Sequence, residues 1–154
     1  MGKKKTWKEK LNNSNNLPKV EEIPPHLKKK WGEGTLVVPA PIEVDEIMKQ
    51  VPKGKVITIS EIRKMLAGKH NATIGCPLTT GIFVNISAHA AEEYKLEGVK
   101  STTPYWRTLR SGGELNEKFP GGIQRQKELL EDEGHRVIQK GKKYKVENYE
   151  LSLI

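Results

Sequence analysis

The stretch from Pro41 to Gly68 leaves the chain few options, because it holds two helix patterns separated by a turn that neither can cross. Val44, Ile47, Met48 and Val51 recur at i, i+3, i+4 and i+7, an apolar stripe of helical period, and Pro52 ends it. Pro52-Lys53-Gly54-Lys55 predicts a turn. Thr58-Ile59-Ser60-Glu61 then fits a capping box, in which Thr58 accepts from the Glu61 backbone and the Glu61 carboxylate reaches back. Ile62, Met65 and Leu66 are the expected buried face of that helix, and Gly68 is its expected C-cap. A second helix is predicted to begin within residues 71–80 and to continue through Ile82, Phe83, Ile86, Ala90 and Tyr94. A capped helix, a tight link and a second helix is the helix-turn-helix order, although any small helical domain contains such pairs.

Beyond Gly98 an extended segment is expected from Thr103 to Leu109, with turns at Ser111-Gly112-Gly113 and Pro120-Gly121-Gly122. A third helix is predicted from about Ile123 to Glu133, with Leu129 and Leu130 inward and Gly134 as its stop. Residues 136–146 read as a β-hairpin with the basic tip Lys140-Gly141-Lys142-Lys143. That hairpin is either a wing laid beside DNA or a solvated edge made safe by lysines. The expected fold is α/β: a small winged helix-turn-helix-like domain over residues 36–149, mostly helical, with a short strand and the C-terminal hairpin. Residues 1–35, with two lysine clusters, a polar Asn/Ser run and Pro24-Pro25, read as a basic, partly disordered tail, with Trp7 and Trp31 as the exceptions, candidates to pin parts of it to the domain. Residues 150–154 read as a C-terminal tail.

Charge narrows the partners. The formal net charge of +8 makes a polyanion the first partner to consider, with affinity that weakens as salt rises; a lysine-rich solvated surface is the bland alternative. One cysteine, Cys76, rules out an internal disulfide and a multi-cysteine zinc site, and His26, His70, His89 and His135 lack metal-ligand spacing. No metal or other cofactor is therefore expected. No apolar run reaches the roughly 18 residues a membrane helix needs. The start carries charge with no apolar segment behind it, so a cytoplasmic, nucleoid-associated location is the expectation.

Four segments carry a resemblance. They are Val51-Pro52-Lys53-Gly54-Lys55-Val56-Ile57-Thr58; Ala72-Thr73-Ile74-Gly75; Pro104-Tyr105-Trp106-Arg107; and Phe119-Pro120-Gly121-Gly122 followed by Gln126, Leu129, Leu130, Glu133, Gly134, His135 and Arg136. In that order they resemble the DNA-binding domain of the alkylguanine-DNA alkyltransferases and their alkyltransferase-like relatives. The resemblance implies double-stranded DNA as partner, a repair protein as a further one, and a monomer. It places a recognition-helix motif, Arg-Ala-Val-Gly in the family, on Ala72-Thr73-Ile74-Gly75. It also aligns the reactive Pro-Cys-His-Arg motif with Pro104-Tyr105-Trp106-Arg107.

The departures decide the activity. The family's cysteine attacks the alkyl group as a thiolate that its histidine generates. Tyr105 and Trp106 stand at those positions, and a phenol and an indole do neither job. Alkyltransferase-like proteins also carry an aromatic residue in place of the cysteine and bind alkylated DNA without repairing it. Ile59 aligns with the family's phosphate-pressing tyrosine and Ala72 with its duplex-filling arginine, so DNA binding transfers better than base flipping does. The expected function is non-catalytic binding of duplex DNA, with damaged or deformed sites as its target and with no catalytic residue. Alternatives are methyl transfer from methylated DNA to Cys76 as a relocated cysteine, and an RNA or protein interaction module on the same scaffold. The expected DNA-contacting residues are Thr58, Ser60, Arg63, Lys64, Lys69, Asn71, Thr73, Thr79 and Thr80, each of which could instead be a cap or solvated. Tyr105, Trp106, Arg107, Gly121 and Gly122 are the candidates for a lesion pocket. Core filling is the competing reading for the two aromatics, a structural bond to backbone carbonyls is the favoured one for Arg107, and Glu133 reads as an ordinary last-turn glutamate.

Overall fold

The structure, a computed structural model, describes residues 6–154. Six α-helices and seven short strands follow one another: α1 (Trp7–Asn12), β1 (Lys19–Glu22), α2 (Lys28–Trp31), β2 (Thr35–Val38), α3 (Pro41–Lys49), β3 (Ile57–Thr58), α4 (Ile59–His70), β4 (Ile74–Gly75), α5 (Pro77–Leu96), β5 (Thr108–Leu109), α6 (Gly122–Asp132), β6 (Val137–Lys140) and β7 (Lys143–Val146). The architecture is α/β with the expected C-terminal hairpin, in which Val137 pairs with Val146 and Lys140 with Lys143. β3 pairs in parallel with β5. A three-stranded sheet runs in the order β1-β2-β4, antiparallel and then parallel.

α5 is the spine. Pro77 supplies a fixed φ and no N–H at its first position, where that donor would be orphaned anyway. Val84, Ser87, Ala88 and Ala91 are buried along it, and the small side chains let α1, α3 and α4 pack close. The main core joins Val37, Val44, Met48, Ile57, Ile62, Leu66, Val84, Tyr105 and Phe119. A second cluster holds Val56, Leu109, Leu115, Leu130 and Val146, and a third holds Ile23, Leu36 and Cys76.

Five expectations need correction. Residues 6–35 are not a tail: Leu11 of α1 is 3% exposed, Ile23 is 1% exposed, and β1 pairs with β2. Hydrophobic residues too sparse to build a core alone are buried here by borrowing α5 and β4 as partners. The lysines before Thr6 lie outside the described residues. Residues 150–154 are likewise fixed, with Leu153 in the second cluster and Val56 donating to the Ser152 carbonyl at 2.9 Å.

α4 does not stop at Gly68 but runs to His70, and Asn71, at φ +53°, makes the left-handed cap. Lys69 and His70 both reach the Glu43 carboxylate on α3, each at 2.7 Å, which holds the last turn in helical form. Met65 is 42% exposed rather than buried. β4 packs against the Arg63–Ala67 flank of α4, so the buried arc rotates towards Ala67 and away from Met65. Between Thr103 and Leu109 the chain is not fully extended: Tyr105–Arg107 form a 3-10 turn, closed by the Arg107 N–H on the Pro104 carbonyl at 3.1 Å.

Candidate nucleic-acid interface

The segment expected to form a helix-turn-helix folds as α4, the β4 link and α5. Its first helix opens on Thr58, whose hydroxyl accepts from the Glu61 N–H at 3.4 Å and itself donates to the Glu61 carboxylate. The carboxylate thus closes the capping box on the side chain rather than the backbone. Gly75 is required where the link crosses α4: a Cβ there would sit 2.7 Å from the Arg63 carbonyl oxygen. Arg63 Nε donates to the Gly75 carbonyl at 2.9 Å and locks the link to the helix.

A groove of about 490 Å³ follows this crossing, lined by Ser60, Arg63, Lys64, Ala67, Thr73, Ile74 and Gly75. It gathers four of the expected DNA-contacting residues, Ser60, Arg63, Lys64 and Thr73. The other five lie elsewhere. Thr58 is 2% and Thr80 0% exposed, so both are interior. The Thr79 hydroxyl is buried without a partner. Asn71 is exposed but caps α4. Lys69 is held by Glu43, whose charge raises the Lys69 pKa. Burial alone would raise the Glu43 pKa, but Lys69, the Ala40 N–H and His70 outweigh it and hold the carboxyl below its usual range.

Of the expected lesion-pocket residues, Trp106 and Arg107 line a cavity of about 590 Å³ together with Pro104, Lys49 and Lys100, whereas Tyr105 does not. Tyr105 is 2% exposed and packs edge-on against Trp106 and Phe119, with centroids 5.5 and 5.4 Å away, so its ring fills the main core. Burial, helped by the Glu92 carboxylate, pushes its phenol well above the ordinary range, far from ionisation. Trp106 is half-buried and bridges the first two clusters. Arg107 is structural, as favoured: Nε and Nη2 grip Glu133 at 2.9 and 2.6 Å, and Nη1 donates to the Val51 carbonyl at 2.7 Å. Glu133 is therefore no ordinary last-turn glutamate. Burial would raise its pKa, but Arg107, with the Trp106 indole beside it, holds the carboxyl below its usual range. Gly121 and Gly122, at φ +79° and +68°, form the turn into α6, where a Cβ on Gly121 would meet the Arg125 Cβ at 2.5 Å. Cys76 is 6% exposed in the third cluster, and His70 is bonded to Glu43 at 2.7 Å, which leaves neither group placed for a relocated attack.

A cavity of about 250 Å³ does open beside the groove, on the first turns of α5. Its walls are Ile59, Leu78, Ile82 and Asn85 on one side and Arg110, Asn116 and Lys118 on the other. Leu78 and Ile82 are 63% and 51% exposed, an apolar pair on the face of α5 opposite its buried Val84, Ala88 and Ala91. The opposite wall is rigid. Buried Gln126 accepts from the Asn116 N–H at 2.7 Å and donates to the Trp106 and Thr108 carbonyls at 3.1 and 3.2 Å, while Asn116 donates to Asn85 at 2.9 Å. Reading by motif missed these residues. The one signal was the i, i+4 spacing of Leu78 and Ile82, out of phase with Val84, Ala88 and Ala91.

A capped helix, a glycine crossing and a second helix, braced behind by the Pro104–Arg107 turn, make up this part of the fold. Two solved structures share the fold. The structure of S. pombe Atl1 in complex with damaged DNA containing O6-carboxymethylguanine is 24% identical, with a TM-score of 0.53, and the match covers 74% of this chain and 93% of that one. The structure of S. pombe ATL in complex with DNA is 23% identical, with a TM-score of 0.54 and the same coverage. No protein-family model and no curated protein matches the sequence.

Proposed function

We propose that the protein binds duplex DNA through the α4–β4–α5 face, senses damaged or deformed sites in it, and transfers no alkyl group. The observation that carries this reading is that the groove and the cavity are lined by consecutive residues at the start of α4, Ser60 and Ile59. A groove lined by Arg63, Lys64 and hydroxyls suits phosphates, and an adjoining recess with apolar and amide walls suits a base turned out of the stack. The neighbouring Atl1 structure holds damaged DNA, which supports the same partner here. With Tyr105 sealed in the core and Trp106 in place of a base, no side chain near that recess is a candidate nucleophile. Wing contacts from the β6–β7 tip, whose Lys142 and Lys143 stand beside Arg110, extend the same face.

The test is fluorescence anisotropy with a labelled duplex, with and without one O6-alkylguanine, titrated over salt. Binding at low salt that falls steeply as salt rises is expected, and Leu78→Glu with Ile82→Glu should remove any preference for the lesion. No binding to duplex at low salt would overturn the reading, as would RNA of the same sequence outcompeting the DNA.

A further inference from the structure

The fold places the second lysine cluster of the N-terminal segment, Lys28, Lys29 and Lys30, on α2. Leu27 and Trp31, four residues apart, turn inward onto the Ile23–Leu36–Cys76 cluster. Lys28, Lys29 and Lys30 between them are exposed, and none makes an ion pair among the described residues.

That turn is fastened to the helix-turn-helix itself. Ile74, a wall of the groove, packs on the same cluster as Trp31, and Cys76 of that cluster is the N-cap of α5. β2, which α2 leads into, pairs in parallel with β4, with Leu36 opposite Ile74 and Val37 opposite Gly75. Thr35 and Thr73 exchange hydrogen bonds: the Thr35 N–H donates to the Thr73 hydroxyl at 3.0 Å and the Thr73 N–H to the Thr35 hydroxyl at 3.2 Å. Gly34 allows this approach, since a Cβ there would lie 2.3 Å from the Thr73 Oγ1. β2 is thus one strand spacing, about 4.8 Å, from the groove wall. The acidic residues of the segment are Glu33, beside the turn, Glu9 on α1, and Glu21 and Glu22 on β1, the strand farthest from β4; Lys19 pairs with Glu21 at 3.7 Å.

We propose that Lys28, Lys29 and Lys30 form a second phosphate-contacting element, rigidly joined to the groove wall through β2 and β4, that lengthens the duplex footprint of the helix-turn-helix. The proposal rests on the duplex-DNA reading above. Three exposed, unpaired ammonium groups on a braced turn neutralise phosphate without the ordering cost of a loose tail.

The experiment compares the slope of log K against log salt for the full chain, for Lys28→Ala/Lys29→Ala/Lys30→Ala, and for a control, Lys95→Ala/Lys100→Ala. Lys95 lies about 27 Å along α5 from Pro77, by the helical rise per residue. Three lost phosphate contacts should flatten the slope by about 2.7, equivalent to roughly a hundredfold weaker binding at 0.15 M salt. The control should keep the parent slope. An unchanged slope in the triple variant, with the parent binding normally, overturns the proposal and leaves the duplex reading intact. Equal flattening in both variants overturns it too, since net charge alone would then explain the effect. A parent that shows no salt-dependent binding removes the duplex reading and the proposal together. Thermal melts of both variants, expected to match the parent, separate lost contacts from lost fold.

Discussion

Replacing Tyr105 with cysteine puts a thiol where the sequence resemblance aligns the reactive cysteine of the alkylguanine-DNA alkyltransferases, and under the proposed function no alkyl transfer is expected to follow. The ring lies 2% exposed between Trp106 and Phe119 in the main core. Removing a buried aromatic ring costs about 3–5 kcal/mol when alanine replaces it. Cysteine keeps one heavy atom more, so about 3 kcal/mol is expected, a fall of roughly 6–12 °C in Tm for a chain of this length. The new sulfur would sit in an apolar cavity that raises its pKa, with Trp106 unable to take its proton and Glu133 committed to Arg107. Loss of general-base help alone costs about 10²–10⁴-fold. The assay is transfer of radiolabelled methyl from methylated duplex to the variant, run beside a thermal melt. Parent-level labelling with a lowered Tm is the expected pair of results. Rapid labelling would refute the reasoning, because it would show that position 105 opens to the DNA. So would an unchanged Tm, which would show that the ring is not core.

Acid should destabilise the protein in two stages. Burial lowers the His135 pKa below 6.5, with Arg107 adding to burial and Glu133 opposing it, so the unfolded chain binds the extra proton first and stability falls as pH drops from 6.5 towards the folded value. The lowered carboxyls of Glu43 and Glu133 contribute stability that is present above 4.5 and is lost as pH falls through their folded values. Melts across this range should show both stages, and His135→Gln should abolish only the upper one; a parent curve flat from about pH 7 to 5 would contradict this. Deleting residues 1–35 should destabilise rather than merely weaken DNA binding, since it removes buried Leu11 and Ile23, each worth about 2–5 kcal/mol. Cys76 should then react with a thiol reagent under conditions where the full chain does not, and equal protection in both would refute the packing described.

The helices that end on proline or begin on a capping side chain were legible from residues alone, because those signals act within a few residues. α3 ends at Pro52's doorstep and α4 starts at Thr58 as expected. What the sequence hid depends on distant partners. Asn71 rather than Gly68 ends α4 because Glu43 on another helix holds Lys69 and His70. The N-terminal third read as a tail because its few apolar residues meet their partners only across strands and helices far along the chain. The motif at residues 104–107 marked the right turn, and Trp106 and Arg107 of it line a cavity, yet alignment alone could not tell that Tyr105 points into the core or that a second recess opens at Leu78, Ile82 and Asn116.

The β2–β4 pairing also orders events as the chain is made. β2 leaves the ribosome well before β4, and α1 waits still longer for α5, whose side chains cover Leu11. Until residue 96 has emerged, α1 lacks part of the surface it settles on, since it packs on α5 as well as on α3. Pairing across so much intervening chain must first meet its loop-closure entropy, which delays the gain from burial. The helix-turn-helix and its lysine-bearing flank therefore mature together. A nascent chain would offer no half-built nucleic-acid grip until both are in place.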